Sequence, residues 1–459
     1  MQAGPEIIDF PYSAEVETLF APLRHLEGAI WLDSGKPRSL QGRFDILSAL
    51  PEWWIESTAG QTTLRSPDGD KRSCHPDPIT AGDELLVEMG LIDSRFAHLP
   101  FVGGLIGYWN YDFGLPLNGL SQATTGAAPA MKVGWYGWGL IINHQARKGW
   151  LVFHPGCSAE KRNGIKSILQ QTDNNETLFK ITTAFSPITS RERYLQSVAE
   201  IHNYIAAGDC YQVNYAQPFS ARYQGDPWAA YRALRRAMPS PYSAYFNWDG
   251  RAILSCSPER FLKVSLGQVE SKPIKGTIGR GKTILEDEEN AISLMNSSKD
   301  RAENLMIVDL LRNDLGKNCQ PGSIKVPKLF ALESFANVHH LVSTVTGTLA
   351  TDTTPLQLLR DAFPGGSITG APKKRAMEII AALETAPRGI YCGSIGYISA
   401  TGRLDSNIAI RTLTAENGDI SCWGGGGIVA DSVPEQEYEE SLQKVGVLMR
   451  TLEGMKGDD

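Results

Sequence analysis

The sequence has no C-x-x-C pair and no cysteine–histidine spacing of a zinc site. Its seven cysteines, at positions 74, 157, 210, 256, 319, 392 and 422, are odd in number and scattered. That excludes a disulfide framework and a zinc module, and it is the usage of a reducing compartment, here expected to be the cytoplasm. No run of about 18 apolar residues occurs, which excludes a spanning helix and leaves no membrane partner expected. The start, MQAGPEIIDFPYSAEVETLF, lacks the basic-then-apolar order of a targeting leader. Long basic runs are absent too: 44 Lys and Arg stand against 51 Asp and Glu, a formal charge of −7. A nucleic-acid partner is therefore not expected, and an anionic ligand must be met by local positive charge.

Missing as well is the βαβ rhythm of a doubly wound sheet. What is present over residues 1–185 is strand-rich, with alternation or apolar runs at GAIWLDS, FVGGLIGYWNYD and GWGLIINHQ, and no catalytic constellation. A boundary is expected near TAFSPITSRERY, where Ser190 can cap a helix presenting Tyr194, Leu195, Val198, Ile201 and Ile205, closed by Gly208. Residues 186–459 then hold nearly all the motifs: more strands, a helix through KDRAENLMIVDLLRNDLG, another near APKKRAMEIIAALE, the pair GIYCGSIGYISA and NIAIRTLTAEN, and a last helix from about Pro434. Mostly antiparallel sheet with helices outside, an α+β class, is the expected fold.

Within SKPIKGTIGRG, Lys275 stands between a proline and a run of glycines, so it is presented from tight, irregular backbone able to approach a ligand closely. From Gly276 the chain also reads GTIGRGKT, the pattern of a phosphate-binding loop. That reading fails on context. The preceding segment is polar and broken by Pro273, and the following ILEDEENAIS sets four acids where phosphates would lie.

Asp300 and Glu303 share a helix face through i, i+3 spacing, and Glu437 and Glu440 repeat it. Each pair alone reads as a solvated acidic face; two pairs, one flanking a glycine loop, fit a magnesium site of hard oxygen ligands. CWGGGGIVADSVP leaves the amides of Gly425, Gly426 and Gly427 uncovered by side chains, suited to a carboxylate or to close backbone packing. Arg411, in NIAIRTL, alternates with Ile410 and Leu413 and needs an anionic partner if it points inward. His340 reads equally as a ring-face donor or a core histidine. Residue chemistry thus reaches a magnesium-assisted site for a small carboxylated molecule.

Taken together, SPERF, PIKGT, KDRAENLMIVDLLRND, GGSITGAPK, IAIRT and GGGGIVADSVPEQEYEE resemble the chorismate-utilising enzymes, the family of anthranilate, isochorismate and salicylate synthases. The resemblance covers the whole chain and is densest after residue 190. It implies one large α+β unit in which large antiparallel β-sheets form a sandwich-like core with helices packed outside, binding chorismate and Mg2+ in a central cleft. Glu303 and Glu440 resemble the direct metal ligands, with Asp300 and Glu437 beside them. Arg411, Tyr391 and the amides of Gly425 to Gly427 match positions that hold substrate carboxylates; Ser367 lies in the corresponding glycine turn, Thr277 in the lysine motif, and His340 beside the ring. Glu259 of SPERF resembles the general acid. Water-adding members resemble one another in having a lysine where this chain has Gln212, and anthranilate synthases typically read PIAGT where this chain reads PIKGT. Lys275 therefore resembles the signature lysine of members that aminate chorismate at carbon 4, on the route to 4-aminobenzoate and folate. The alternatives are anthranilate formation and a non-catalytic amino-acid-binding subunit.

The mechanism so implied is covalent: Lys275 attacks ring carbon 2, the carbon-4 hydroxyl leaves, and ammonia then adds at carbon 4. An ordinary lysine, with a pKa of about 10.4, is neutral only about once in two thousand at pH 7, so Lys275 needs burial or nearby cations such as Lys272 or Arg280. No amidotransferase nucleophile is recognisable, so a separate glutamine amidotransferase subunit is the implied ammonia source. IWLDSGKPRSLQGRFDI and PSPYSAYF resemble the stretches forming a tryptophan pocket, with Ser34, Pro241 and Ser243 as its positions. LDS stands there in place of LLES, which leaves tryptophan structural, inhibitory or absent.

Overall fold

Alternation along the strands decides the architecture, because both faces of each sheet are apolar. In Gly104–Trp109, Leu105 and Trp109 point one way while Ile106 and Tyr108 point the other, and all are buried. In Tyr242–Trp248, Ala244, Phe246 and Trp248 oppose Tyr245 in the same manner. A strand apolar on both sides has to be covered on both sides.

The computed structural model describes residues 4–455 except 40–41, 59, 67–70, 74–76, 122–127, 172, 174–177 and 336–337. Cys74 and part of the small-residue loop NGLSQATTGAAPA lie outside the described residues. Among the described residues the strands form two 12-stranded sheets, and every pairing is antiparallel. The first sheet runs from Glu6–Phe10 at one edge, through Ile30–Asp33, Tyr242–Trp248, Arg251–Ser257 and Thr412–Glu416, to Asp419–Ile428, Gln212–Gly225 and Phe179–Pro187. The second runs from Ile274–Gly279 through Val338–Thr348, Gln268–Lys272, Arg260–Ser265, Leu404–Asn407, Ser394–Ser399 and Gly104–Trp109 to Lys71–Ser73.

Ile30, Ile46, Phe246 and Ile253 from the first sheet meet Trp54, Ile106, Tyr108 and Tyr397 from the second in one cluster, the sandwich core. The outer face of the first sheet, with Trp31, Leu47 and Leu254, is covered by helices Pro227–Ala237 and Pro434–Glu453. The outer face of the second is covered by Pro78–Met89, Pro355–Ala362 and Ser298–Gly316. Each fully buried aromatic or branched side chain contributes roughly 1.5–3 kcal/mol. The expected α+β sandwich wrapped by helices is therefore present, and each sheet takes strands from both sides of residue 185.

Local signals behave as their chemistry requires. The Ser190 side chain accepts from the amide of Arg193 and starts the helix Arg191–Ala206, whose Tyr194, Val198 and Ile201 are buried. One expected strand is absent: NIAIRTL does not run continuously. Leu404–Asn407 belongs to the second sheet and Thr412–Glu416 to the first, and the chain crosses between them at residues 408–411, with Arg411 at φ 51°. Arg411 thus sits in a crossover with left-handed backbone rather than in strand alternation with Ile410 and Leu413.

Candidate active site

Ile274–Gly279 is an edge strand paired with Val338–Thr348. Ile274 faces Val342 and Thr277 faces His340, so one extra residue is inserted between them. This is a β-bulge, with Gly276 at φ 87°. A Cβ on Gly276 would stand 3.0 Å from Asp300, so the glycine also lets the acidic helix approach. The bulge turns Lys275 toward that helix: its ammonium is 3.9 Å from Glu303 Oε2, and its side chain is 11% exposed. Burial lowers the Lys275 pKa; Lys444 lowers it further, while Glu303, Glu259 and Glu440 pull it back up. The cations named from sequence do not take part. Lys272 is paired with Glu333, and Arg280 is bound to Asp287 at 2.7 Å.

Those contacts also dispose of the phosphate-loop pattern. The amide of Gly281 donates to Asp287 Oδ1 at 2.8 Å and that of Lys282 to Glu286 Oε2 at 2.8 Å, so carboxylates already fill the amides a phosphate would use.

Glu259 precedes the strand Arg260–Ser265 and is buried. Ser367, in the glycine turn, donates to Glu259 Oε1 at 2.8 Å. Burial pushes the Glu259 carboxyl up to about 7, against the lowering effects of Ser367, Lys275 and the amide of Ile274. It can therefore hold a proton near neutrality, as a general acid must.

Helices Ser298–Gly316 and Pro434–Glu453 bring the two acid pairs to the same region. Burial raises Glu303, with Asp300 and Glu437 adding like-charge repulsion. Burial also raises Glu437, whose Oε1 accepts from the Ser432 hydroxyl at 2.6 Å and lies 3.8 Å from Lys299. For Glu440, burial pushes upward but Lys444, 2.6 Å away, outweighs it and holds the carboxyl low. Lys444 also donates to the Gly425 carbonyl at 3.0 Å. A Cβ on Gly426 would lie 3.3 Å from Glu437, Glu440 and Lys444 alike, so the glycine leaves room where these groups converge. The donors are all hard oxygens, the class magnesium takes. Among the described residues, no three acids are close enough to form a ready-made metal cluster. Three of the acids each face a lysine ammonium instead: Glu303 faces Lys275 at 3.9 Å, Glu437 faces Lys299 at 3.8 Å and Glu440 faces Lys444 at 2.6 Å.

The glycine strand pairs with Gln212–Gly225 through Gly424–Gly427, while its pairing with Thr412–Glu416 stops at Cys422. Alternate backbone groups beyond Cys422 therefore face away from the remaining partner. Gln212 is fully buried beside Gly427, and among the described residues neither polar atom of its side-chain amide has a hydrogen-bond partner. His340 shares a 2.7 Å hydrogen bond with Thr277 through Nδ1. Burial and then Arg411 push its pKa down to about 3, so the ring is neutral. Burial lowers Arg411 as well, and no carboxylate among the described residues pairs with it. Tyr391 is buried and stacks on Trp423 with ring centres 5.8 Å apart and planes at 9°, next to the glycines.

Ser34, Pro241 and Ser243 line a separate cavity of about 220 Å³, together with Asp33, Arg260 and Asn407. Sequence reasoning missed Lys444, although it lies one turn beyond Glu440 on the same helix face. It also missed Lys299, which precedes Asp300 and lies 3.8 Å from Glu437 on the other helix.

The chain matches the chorismate binding enzyme family over residues 38–450. It is 44% identical to aminodeoxychorismate synthase component 1 of Klebsiella aerogenes, over 98% of this chain and 99% of that one. It is 33% identical to anthranilate synthase component 1 of Geobacillus stearothermophilus, over 95% and 91%. The crystal structure of anthranilate synthase component I from Streptococcus pneumoniae TIGR4 superposes with a TM-score of 0.79 at 32% identity, covering 90% of this chain and 93% of that one. A match spanning the bulged lysine, both acid pairs and the glycine strand, on the same fold, makes this chain a member of the chorismate binding enzyme family.

Proposed function

We propose that the chain aminates chorismate at ring carbon 4, giving 4-amino-4-deoxychorismate, the precursor of 4-aminobenzoate in folate synthesis. The observation that carries this reading is Lys275, buried on a bulge, its pKa lowered, with Glu259 poised near pH 7 at the same site. The name borne by the relative at 44% identity supports it, as does Gln212 in place of a water-activating lysine.

In the first step the neutral amine of Lys275 forms a bond to carbon 2 of the ring. The two ring double bonds shift, and the carbon-4 hydroxyl departs as water with the proton of Glu259. In the second step ammonia bonds to carbon 4, the double bonds shift back, the lysine nitrogen leaves carbon 2 as the neutral amine, and the proton that the new carbon-4 ammonium sheds restores the carboxyl of Glu259. The enolpyruvyl group is untouched. Arg411, Tyr391 and the amides of Gly425 to Gly427 hold the substrate carboxylates, and Thr277, His340, Ser367 and Gln212 line the ring. Glu303 and Glu440 would hold a magnesium ion, with Asp300 and Glu437 around them; bound there, it supplies positive charge for a substrate carboxylate.

On this reading residues 186–459 carry the chemistry, while residues 1–185 supply Ser34 to a tryptophan pocket completed by Pro241 and Ser243. Ammonia comes from a glutamine amidotransferase subunit, in keeping with the words "component 1" in the relatives' names. A reducing compartment suits the six described cysteines, all free and buried; none of the described helices is long and apolar enough to cross a membrane. The test is incubation of the chain with chorismate, ammonium and magnesium, followed by mass analysis. Aminodeoxychorismate without fluorescent anthranilate is expected; anthranilate as the main product overturns the reading.

A further inference from the structure

Arg388 has no role in the chemistry above, yet it is buried and ties together separate pieces of chain around the site. Its Nη1 donates to the Ile368 carbonyl at 2.9 Å, beside Ser367. Its Nη2 donates to the Asn214 carbonyl at 2.5 Å, in the strand that begins with Gln212. Nε and Nη2 also donate to both oxygens of Glu384, at 2.8 and 2.7 Å. Glu384 Oε1 in turn accepts the Ala216 amide at 3.0 Å. The guanidinium lies 4.5 Å over the Tyr111 ring and 5.8 Å from that of Tyr391.

An arginine present only to neutralise Glu384 would need two of its N–H groups. Here others reach carbonyls on two different segments, and each segment carries a residue of the site. A held carbonyl fixes its peptide plane. Fixing Ile368 sets the backbone from which Ser367 aims its hydroxyl at Glu259. Fixing Asn214 sets the strand in which Gln212 lies against Gly427. A planar fork with rigid donor directions can do both at once; a lysine ammonium cannot reproduce that geometry.

We propose that Arg388, held by Glu384, is a positioning residue that aligns Ser367 on Glu259 and fixes the Gln212 strand. The idea rests on the proposed amination only for its assay. The experiment measures kcat and KM for R388K, S367A and the double variant, with ammonium as the nitrogen source. R388K is expected to lower kcat about tenfold to a hundredfold while KM for chorismate moves less than about threefold, since small misplacements of reacting groups act on turnover. S367A should then cost distinctly less in the R388K background than alone, because the hydroxyl it removes is already misaligned. A kcat for R388K within about twofold of wild type, or an equal S367A factor in both backgrounds, overturns the proposal. If R388K does not fold, E384Q, which keeps the arginine and the volume, is judged by the same two criteria. A wild-type chain that fails to aminate chorismate counts against the proposed function instead. The crystal structure of R388K or E384Q then decides the positioning role: Ser367 Oγ still within about 3.2 Å of Glu259 overturns it, and displacement by about 1 Å or more supports it.

Discussion

Glu259→Gln should damage turnover and strengthen the fold at the same time, and the second effect has a defined pH window. The amide keeps the volume and can still accept the Ser367 hydroxyl, but it has no proton to give. Loss of a general acid costs about a hundredfold to ten-thousandfold in kcat. For stability, the folded carboxyl titrates at about 7 against 4.5 for an ordinary glutamate, with burial as the main cause. Below pH 4.5 the group is neutral in both states and costs nothing. As pH rises past 4.5 the unfolded chain loses this proton while the folded chain keeps it, so stability falls until the folded group also ionises near pH 7. About two and a half units at about 1.4 kcal/mol each make a cost of roughly 3 kcal/mol at pH 8, which glutamine does not bear. Thermal unfolding of both proteins at pH 4 and pH 8 checks this, alongside chorismate turnover. The variant should melt with the wild type at pH 4 and a few degrees above it at pH 8. Equal melting at both pH values, or turnover within about threefold of wild type, refutes the reasoning about Glu259.

Withholding ammonia from the wild type should leave a chorismate-derived adduct on Lys275, visible as a mass increase of the intact chain. Lys275→Ala should show no adduct, and near wild-type turnover by that variant would exclude a covalent route. Arg411→Gln should weaken chorismate binding by about tenfold to a hundredfold in calorimetric titration, the worth of a charge-assisted hydrogen bond. It should not destabilise the chain, because no carboxylate among the described residues is left unpaired; a lowered melting temperature would reveal an internal partner. Tryptophan titrated into the wild type should give one-site binding in the 220 Å³ cavity, and Ser243→Phe should abolish it with ammonium-dependent turnover intact. Absence of binding at millimolar tryptophan would remove the pocket's proposed occupant.

The elements most legible from sequence are those whose signals are local. Ser190 announces the helix Arg191–Ala206 because a cap needs only its own next three residues. The i, i+3 acids announce their shared faces because a helix has a fixed period. The crossover at residues 408–411 was not legible, since IAIRTL has strand composition throughout and the break depends on two sheets competing for the same segment. Likewise, Lys444 rather than Lys272 or Arg280 presses on Lys275 because ion pairs with Glu333 and Asp287 capture the nearer lysine and arginine. Proximity in the chain was a poor guide to proximity in space. The family motifs carried information that residue periodicity alone could not supply, as with Glu259, whose partner Ser367 lies 108 positions away.

One physical cause, removal from water, sets most of the site's charge state, and it acts on each group according to sign. It lowers Lys275 and His340 and raises Glu259, Glu303 and Glu437, in every case toward the uncharged form. A nucleophilic amine and a protonated acid, which would exchange a proton in water, can therefore coexist side by side here. Arginine is the exception. Burial lowers its affinity for a proton too, but from so high a starting value that Arg411 stays charged in a setting where other groups drift to neutrality. An unpaired buried cation is costly, and the cost is relieved when a carboxylate arrives from outside. Binding of an anionic substrate and activation of the lysine are then two results of the same desolvation. A change that floods the site, such as replacing Leu294, which packs against Gly276, by serine, should raise the Lys275 pKa, lower that of Glu259 and weaken carboxylate binding together. Movement of only one of the three would show that they have separate causes.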